Sequence, residues 1–210
     1  MITIIDYKAG NIASIQNMLK KVGIASKISS DPATISSSAS LILPGVGHFD
    51  YGMKNLMELG LKDAIINAVK EKKARLLGIC LGAQLLGLHS EEGNKEGLGL
   101  VNMNVSHFDR NKLSNSQKIP HMGWNEVIYK KKYREYQRFD HENDRFYFVH
   151  SYHFDVFDTD HIFCTSKYGY EFVSGVINNK VLGVQFHPEK SHSFGLHFLK
   201  THFKNLECIE

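Results

Sequence analysis

Gly78-Ile79-Cys80-Leu81-Gly82 sets a nucleophile between two glycines, each two residues away. The apolar run at 75–79 predicts a strand before it, and Leu81, Leu85 and Leu88 predict helical spacing over 81–89 after it. Glycines at both positions let strand and helix meet in a sharp turn without Cβ clashes, which lifts the nucleophile above the carboxyl edge of a sheet. Unpaired N–H groups at a helix start also favour a thiolate. Read alone, the same cysteine fits equally as a small buried hydrophobe.

A second pattern is His187-Pro188-Glu189, placed directly after the apolar run at 181–186. In a parallel sheet, a histidine at one strand end can reach a nucleophile at another. Pro188 stiffens the turn, so Glu189 could orient the imidazole as a third triad member. By itself the tripeptide also fits a solvated turn; the order Cys, then His-x-Glu, points to catalysis. The third pattern is Leu43-Pro44-Gly45-Val46-Gly47, a strand end followed by a glycine-flanked turn. Such a turn can aim a backbone N–H at a developing oxyanion, beside the N–H of Leu81. It lacks the Gly-Lys-Ser/Thr ending and the length of a phosphate-binding loop.

Strand-like runs at 2–5, 40–43 and 75–79 alternate with helical faces at Ile12, Ile15, Leu19 and Val22 and at Leu61, Ile65, Ala68 and Val69. This alternation predicts an α/β fold, a mostly parallel central sheet with helices on both faces. From 97 to 157 the texture changes to short aromatic and β-branched runs. Further strands are expected at 146–149, 162–165, 172–177 and 181–186, and a closing helix at Phe194, Phe198, Leu199, Phe203 and Leu206. With 210 residues and no linker or repeat, residues 1–210 are expected to form one domain.

Composition narrows the function classes. Hydrophobic residues at 42% and charged residues at 22% are a globular balance, and a net charge of +3 is too weak and evenly spread for nucleic-acid binding. Residues 130–134 read as a solvated loop or hairpin. The sequence carries neither an apolar run of the ~18–20 residues that a membrane span needs nor a signal-like start, so a soluble cytoplasmic protein is expected. Cys80, Cys164 and Cys208 are an odd, scattered set that argues against disulfides or a zinc site. His192, His197 and His202 recur every five residues, turning ~140° per step on a helix, so they share no face for a metal.

Gly78-Ile-Cys-Leu-Gly-Ala-Gln84 with His187-Pro-Glu189 resembles the class I (triad) glutamine amidotransferases. Within them, further blocks resemble the glutaminase-subunit family of imidazole glycerol phosphate synthases. These are Asp6-Tyr7 with Gly10-Asn11-Ile12, Leu43-Pro-Gly-Val-Gly47, Gly97-Leu-Gly-Leu100, Pro120-His-Met-Gly-Trp-Asn125, Phe148-Val-His-Ser-Tyr152 and Gln185-Phe-His-Pro-Glu-Lys-Ser191. They run in order along essentially the whole chain. The resemblance implies that Cys80 attacks the side-chain amide of L-glutamine, that His187 moves protons and that Glu189 orients His187. It gives Val46 and Leu81 as oxyanion donors, and Gly47, Gln84, His150, Ser151 and Tyr152 as glutamine-binding. It implies no cofactor and no metal.

The same resemblance implies a partner, a (β/α)8-barrel cyclase subunit of histidine biosynthesis that receives the ammonia. Asn11, Pro120, His121, Met122, Gly123, Trp124, Asn125 and Lys190 are the implied interface and gate. Trp124, the single tryptophan, could instead be a core or rim aromatic. A Gly-Val-Gly peptide can rotate at little steric cost, so Val46 is the expected switch. The chain departs from the family pattern at Lys8, Ala9, Ala83 and His48-Phe49-Asp50-Tyr51. Those departures bear on acceptor and partner, since paralogous subunits serve sugar amidation for surface polysaccharides. A free-standing cysteine hydrolase or peptidase and a catalytically silent binding module are the other readings.

Overall fold

The computed structural model describes residues 1–139 and 142–204. Its first half alternates strand and helix: β1 (Ile2–Ile5), α1 (Ile12–Lys21), β2 (Ser26–Ser29), α2 (Pro32–Ser36), β3 (Ser40–Leu43), α3 (Phe49–Glu58), α4 (Leu61–Lys70), β4 (Arg75–Ile79) and α5 (Leu81–Gln84). Its second half is mostly strand: β5 (Met103–His107), β6 (His121–Tyr129), β7 (Asp144–His150), β8 (Tyr152–Val156), β9 (Ile162–Tyr168), β10 (Tyr170–Asn178) and β11 (Val181–Val184), closed by α6 (His192–Phe203).

The sheet follows the order β2-β1-β3-β4-β11-β10-β9-β6-β7, with β5 and β8 pairing off this path beside β10. β2, β1, β3, β4 and β11 are mutually parallel, and the strands beyond β11 pair antiparallel. The parallel core is the part expected from the alternating pattern. Ser40-Leu-Ile-Leu43, Leu76 to Ile79 and Val181-Leu-Gly-Val184 are buried on both faces, and β4 sits between β3 and β11. Burying one such Leu, Ile or Val side chain contributes ~1.5–3 kcal/mol.

Buried residues form two layers, one on each face of the sheet. Phe49, Met53, Leu56, Leu61 and Ile65 of α3 and α4 pack on one side. Ile15, Leu19, Phe198, Leu199 and Phe203 of α1 and α6 pack on the other, joined by Phe146, Phe163 and Phe186.

One expectation changes, and one departure from the family pattern finds its place. The helix after Cys80 ends at Gln84, not near residue 89, because the next segment turns to meet β5: Leu88 N–H donates to the Met103 carbonyl at 2.8 Å. The bulky stretch 48–51 is the start of α3, where His48 Nδ1 accepts from Asp50 N–H at 3.1 Å and Phe49 is buried. Residues 131–136, spanning most of the basic run, form a 3-10 turn with no buried side chain. Cys208 and Leu206 lie outside the described residues. Among the described residues no helix is long and apolar enough to cross a membrane.

Candidate active site

Cys80 occupies the turn from β4 into α5 with φ +53° and ψ −112°, backbone that a non-glycine residue adopts only under strain. Its neighbours are built for that turn. A Cβ on Gly82 would overlap the Leu43 carbonyl, and one on Gly78 would lie 2.8 Å from the Ala83 Cα. Cys80 N–H donates to the Val184 carbonyl at 2.8 Å, so the elbow is bonded to the strand that delivers the histidine. Since α5 is a single turn, its dipole gives less support to a thiolate than the sequence suggests.

His187 follows the end of β11 and is 1% exposed. Its Nδ1 and Glu189 Oε1 are 2.7 Å apart, and its Nε2 is buried without a hydrogen-bond partner among the described residues. Burial alone would push the imidazole down; Cys80 and Glu189 outweigh it and raise it from 6.5 to about 10. The turn is anchored to β7: His187 N–H donates to the Tyr147 carbonyl at 2.9 Å, and Ser191 Oγ donates to the His187 carbonyl at 2.6 Å while accepting from Tyr147 N–H at 3.0 Å.

The sulfur faces a cleft of about 320 Å³. Val46, Gly47, Leu81 and Gln84 line one side, and Pro120, His150, Ser151 and Tyr152 the other. Every expected oxyanion and glutamine-binding residue therefore borders one space. A larger cavity of about 620 Å³, at the other end of β4 and β11, is lined by Lys70, Lys73, Leu100 and Lys180 and holds no nucleophile. The chemistry belongs to the smaller cleft.

The oxyanion loop holds the least expected detail. Leu81 N–H donates to the Gly45 carbonyl at 3.3 Å, so the donor assigned to an oxyanion is already occupied. Gly45 also backs onto the first loop, where a Cβ on Gly10 would lie 3.2 Å from Gly45 N. Asn11, the next residue, accepts from Ser14 N–H at 3.3 Å as the cap of α1 and is exposed.

The remaining gate candidates divide by depth. His121 is buried, its Nδ1 2.8 Å from His150 Nε2, while His150 Nδ1 is 2.6 Å from the Tyr152 carbonyl. Asn125 Nδ2 is 3.2 Å from His121 Nε2 and donates to the Lys167 carbonyl at 2.9 Å. Neutral rings let each step of this chain run from donor to acceptor. Burial lowers both histidines, His121 to about 4. Met122 and Trp124 face outward instead, and Gly123 sits between them at φ +132°. Trp124 is 40% exposed and stacks on His192, while Lys190 Nζ lies 5.6 Å from the centre of the Tyr147 ring, which meets Trp124 edge to face.

Two site residues lack a role in the sequence reading. Glu92 borders the cleft and accepts from Phe49 N–H at 2.8 Å; its carboxylate suits the ammonium of an amino acid. Only the fold could have found it, because it comes from an irregular segment after β4. Gln185 is fully buried, with Nε2 3.6 Å from Cys80 Sγ and Oε1 accepting from Gln84 Nε2 at 3.0 Å. Its signal was a polar residue inside an apolar strand run.

Comparison with known proteins fits this geometry. The class-I glutamine amidotransferase family profile matches residues 3–206. An imidazole glycerol phosphate synthase subunit HisH 2 of Methanococcus maripaludis is 50% identical over 97% of this chain and 99% of its own. A protein of the same designation from Pseudomonas aeruginosa is 46% identical over 96% of this chain and 98% of its own. A solved glutamine amidotransferase superposes with a TM-score of 0.73 at 20% identity, over 96% of this chain and 99% of its own, and PurLQS of Thermotoga maritima with 0.69 at 18%, over 98% of each. Those two structures share the fold. The chain belongs to the class-I glutamine amidotransferase family.

Proposed function

We propose that this chain is the glutaminase subunit of an imidazole glycerol phosphate synthase, hydrolysing L-glutamine and passing the ammonia to a barrel-shaped cyclase subunit in the cytoplasm. The observation that carries this reading is 50% identity over 97% of the chain to a HisH 2 subunit, in a chain that holds Cys80 at the cleft and His187 bonded to Glu189. Residues 1–210 act as one amidotransferase domain.

The Cys80 thiolate attacks the side-chain carbonyl carbon of glutamine, and the π electrons of that carbonyl move onto oxygen. Val46 and Leu81 N–H groups receive this oxyanion. His187, as the imidazolium that pairs with this thiolate, gives its proton to the leaving nitrogen, so ammonia departs and a thioester remains. The neutral ring then takes a proton from water, whose oxygen attacks the thioester; glutamate leaves and the thiolate returns. Glu189 holds the imidazole in orientation throughout. Gly47, Gln84, His150, Ser151 and Tyr152 grip the substrate, with Glu92 opposite its ammonium.

This subunit waits for its partner. With the Gly45 carbonyl on Leu81 N–H, the oxyanion site holds an acceptor where a donor is needed. Turning the Gly45–Val46 peptide would free Leu81 N–H and present that of Val46. The outward face at Met122, Trp124 and Lys190 is the partner surface, with His121 and Asn125 behind it, and Asn11 marks the first-loop contact. Tyr147 joins this face to the His187 turn through its backbone.

A second reading also has an observation behind it. Both HisH relatives quoted above carry the number 2, and Lys8 holds φ +63° in the first loop, where the family usually has glycine. In that reading the ammonia serves a sugar-amidating synthetase. Cys80→Ala tests the main proposal: glutamine-dependent synthesis with the cyclase and its nucleotide acceptor should vanish, while ammonia-dependent synthesis continues. Retained glutamine-dependent synthesis overturns it.

A further inference from the structure

Gln185 is a fully buried amide, on a chain otherwise apolar from Val181 to Phe186, aimed at the reacting sulfur. Burying an amide is costly unless its atoms are paired. Its carbonyl oxygen accepts from Gln84 Nε2 at 3.0 Å, and its backbone N–H donates to the Ser174 carbonyl at 2.9 Å. The first bond fixes which way the amide faces. With Oε1 committed to Gln84, Nε2 must point at Cys80 Sγ, 3.6 Å away. A donor there stabilises a thiolate and does little for a thiol, because charge-assisted hydrogen bonds are roughly twice as strong as neutral ones.

Resting on the glutaminase reading above, we infer that Gln185 is a further catalytic residue, whose side-chain N–H holds the attacking sulfur as thiolate while Gln84 locks its orientation. His187 supplies the charge and Gln185 a directed hydrogen bond, so the sulfur is held from two sides. Gln84 also lines the cleft, so a substrate that engages Gln84 reports to the nucleophile through one intervening amide.

Carboxamidomethylation of Cys80 by iodoacetamide, followed against pH on the intact chain, tests this without glutamine, oxyanion hole or partner. A failure here is therefore distinct from failure of the glutaminase reading. The other ionisable groups around the sulfur are His187 with Glu189 from the turn after β11, Tyr7 after β1, and Glu92 and His150 across the cleft. All stay in place in Gln185→Leu and Gln185→Met, and Cys164, buried in β9, labels only if the chain opens. With Cys164 unlabelled, both variants should alkylate about tenfold more slowly than the parent at neutral pH. The rates should converge at alkaline pH, where the sulfur ionises with or without the amide beside it. Parent-like rates at neutral pH overturn the inference, and so does a deficit that persists undiminished at alkaline pH, the mark of a merely displaced sulfur. If Leu opens the chain, the near-isosteric Met variant alone decides by the same criteria.

Discussion

The parallel and antiparallel halves of this sheet use their residues in opposite ways. In the parallel half, β3, β4 and β11 are buried along their length and chemistry appears only where they end, at residues 44–47, at Cys80 and at His187. In the antiparallel half, β6 alternates: His121, Val127 and Tyr129 turn inward while Met122, Trp124, Glu126 and Ile128 turn out. One half concentrates reactive groups at an edge. The other supplies the far wall of the cleft on one face and an aromatic surface on the other. In the proposed function, catalysis and docking then sit close together, with Pro120, an interface candidate, also lining the cleft. They meet where Tyr147 pairs through its backbone with His187.

That division is exposed most sharply by removing the charge of Glu189. Glu189→Gln keeps the shape of the turn but loses the carboxylate that orients and helps to charge His187. The stimulated kcat should fall on the order of 10³ or more, with little change in thermal midpoint. A large loss of stability with kcat retained would make Glu189 a structural member of the turn.

The antiparallel half should show the reverse, a pH-dependent stability without an acid–base role. His121 and His150 are held below the ordinary 6.5 by burial, His121 at about 4. A group whose folded value is depressed in this way contributes its full stability above 6.5 and loses it as pH falls towards about 4, because the unfolded chain then binds the proton first. The thermal midpoint should therefore drop over that window. His121→Gln, which keeps an N–H for His150 but does not titrate, should drop less. Identical profiles for parent and variant would remove the pair from the account.

How much of this was legible beforehand follows the same division. The elbow, the His-x-Glu turn and the parallel strands were readable because buried parallel strands are short apolar runs punctuated by glycine and proline. β2 was not, because Ser26-Lys-Ile-Ser29 is a polar edge strand. β6 was visible only as a block of family-like residues, since its histidine, glycine and asparagine obscure the alternation. α3 was not read, because His48-Phe49-Asp50-Tyr51 stood out only as a departure from the family pattern, and the fold shows His48 capping a helix there. Among site residues, Glu92 and the Gly45 carbonyl on Leu81 N–H depend on segments distant in sequence being folded together. No local pattern encodes either.

The proposed coupling turns on that occupied N–H, so steady-state glutaminase activity is its most direct test, measured on the subunit alone, with the cyclase, and with cyclase plus nucleotide acceptor. Freeing one oxyanion donor and supplying another predicts negligible turnover alone and a rise on the order of a hundredfold or more when the acceptor binds, since one such donor is worth ~10²–10³ in rate. Full activity in the isolated subunit would contradict the gate and mark the chain as an independent hydrolase.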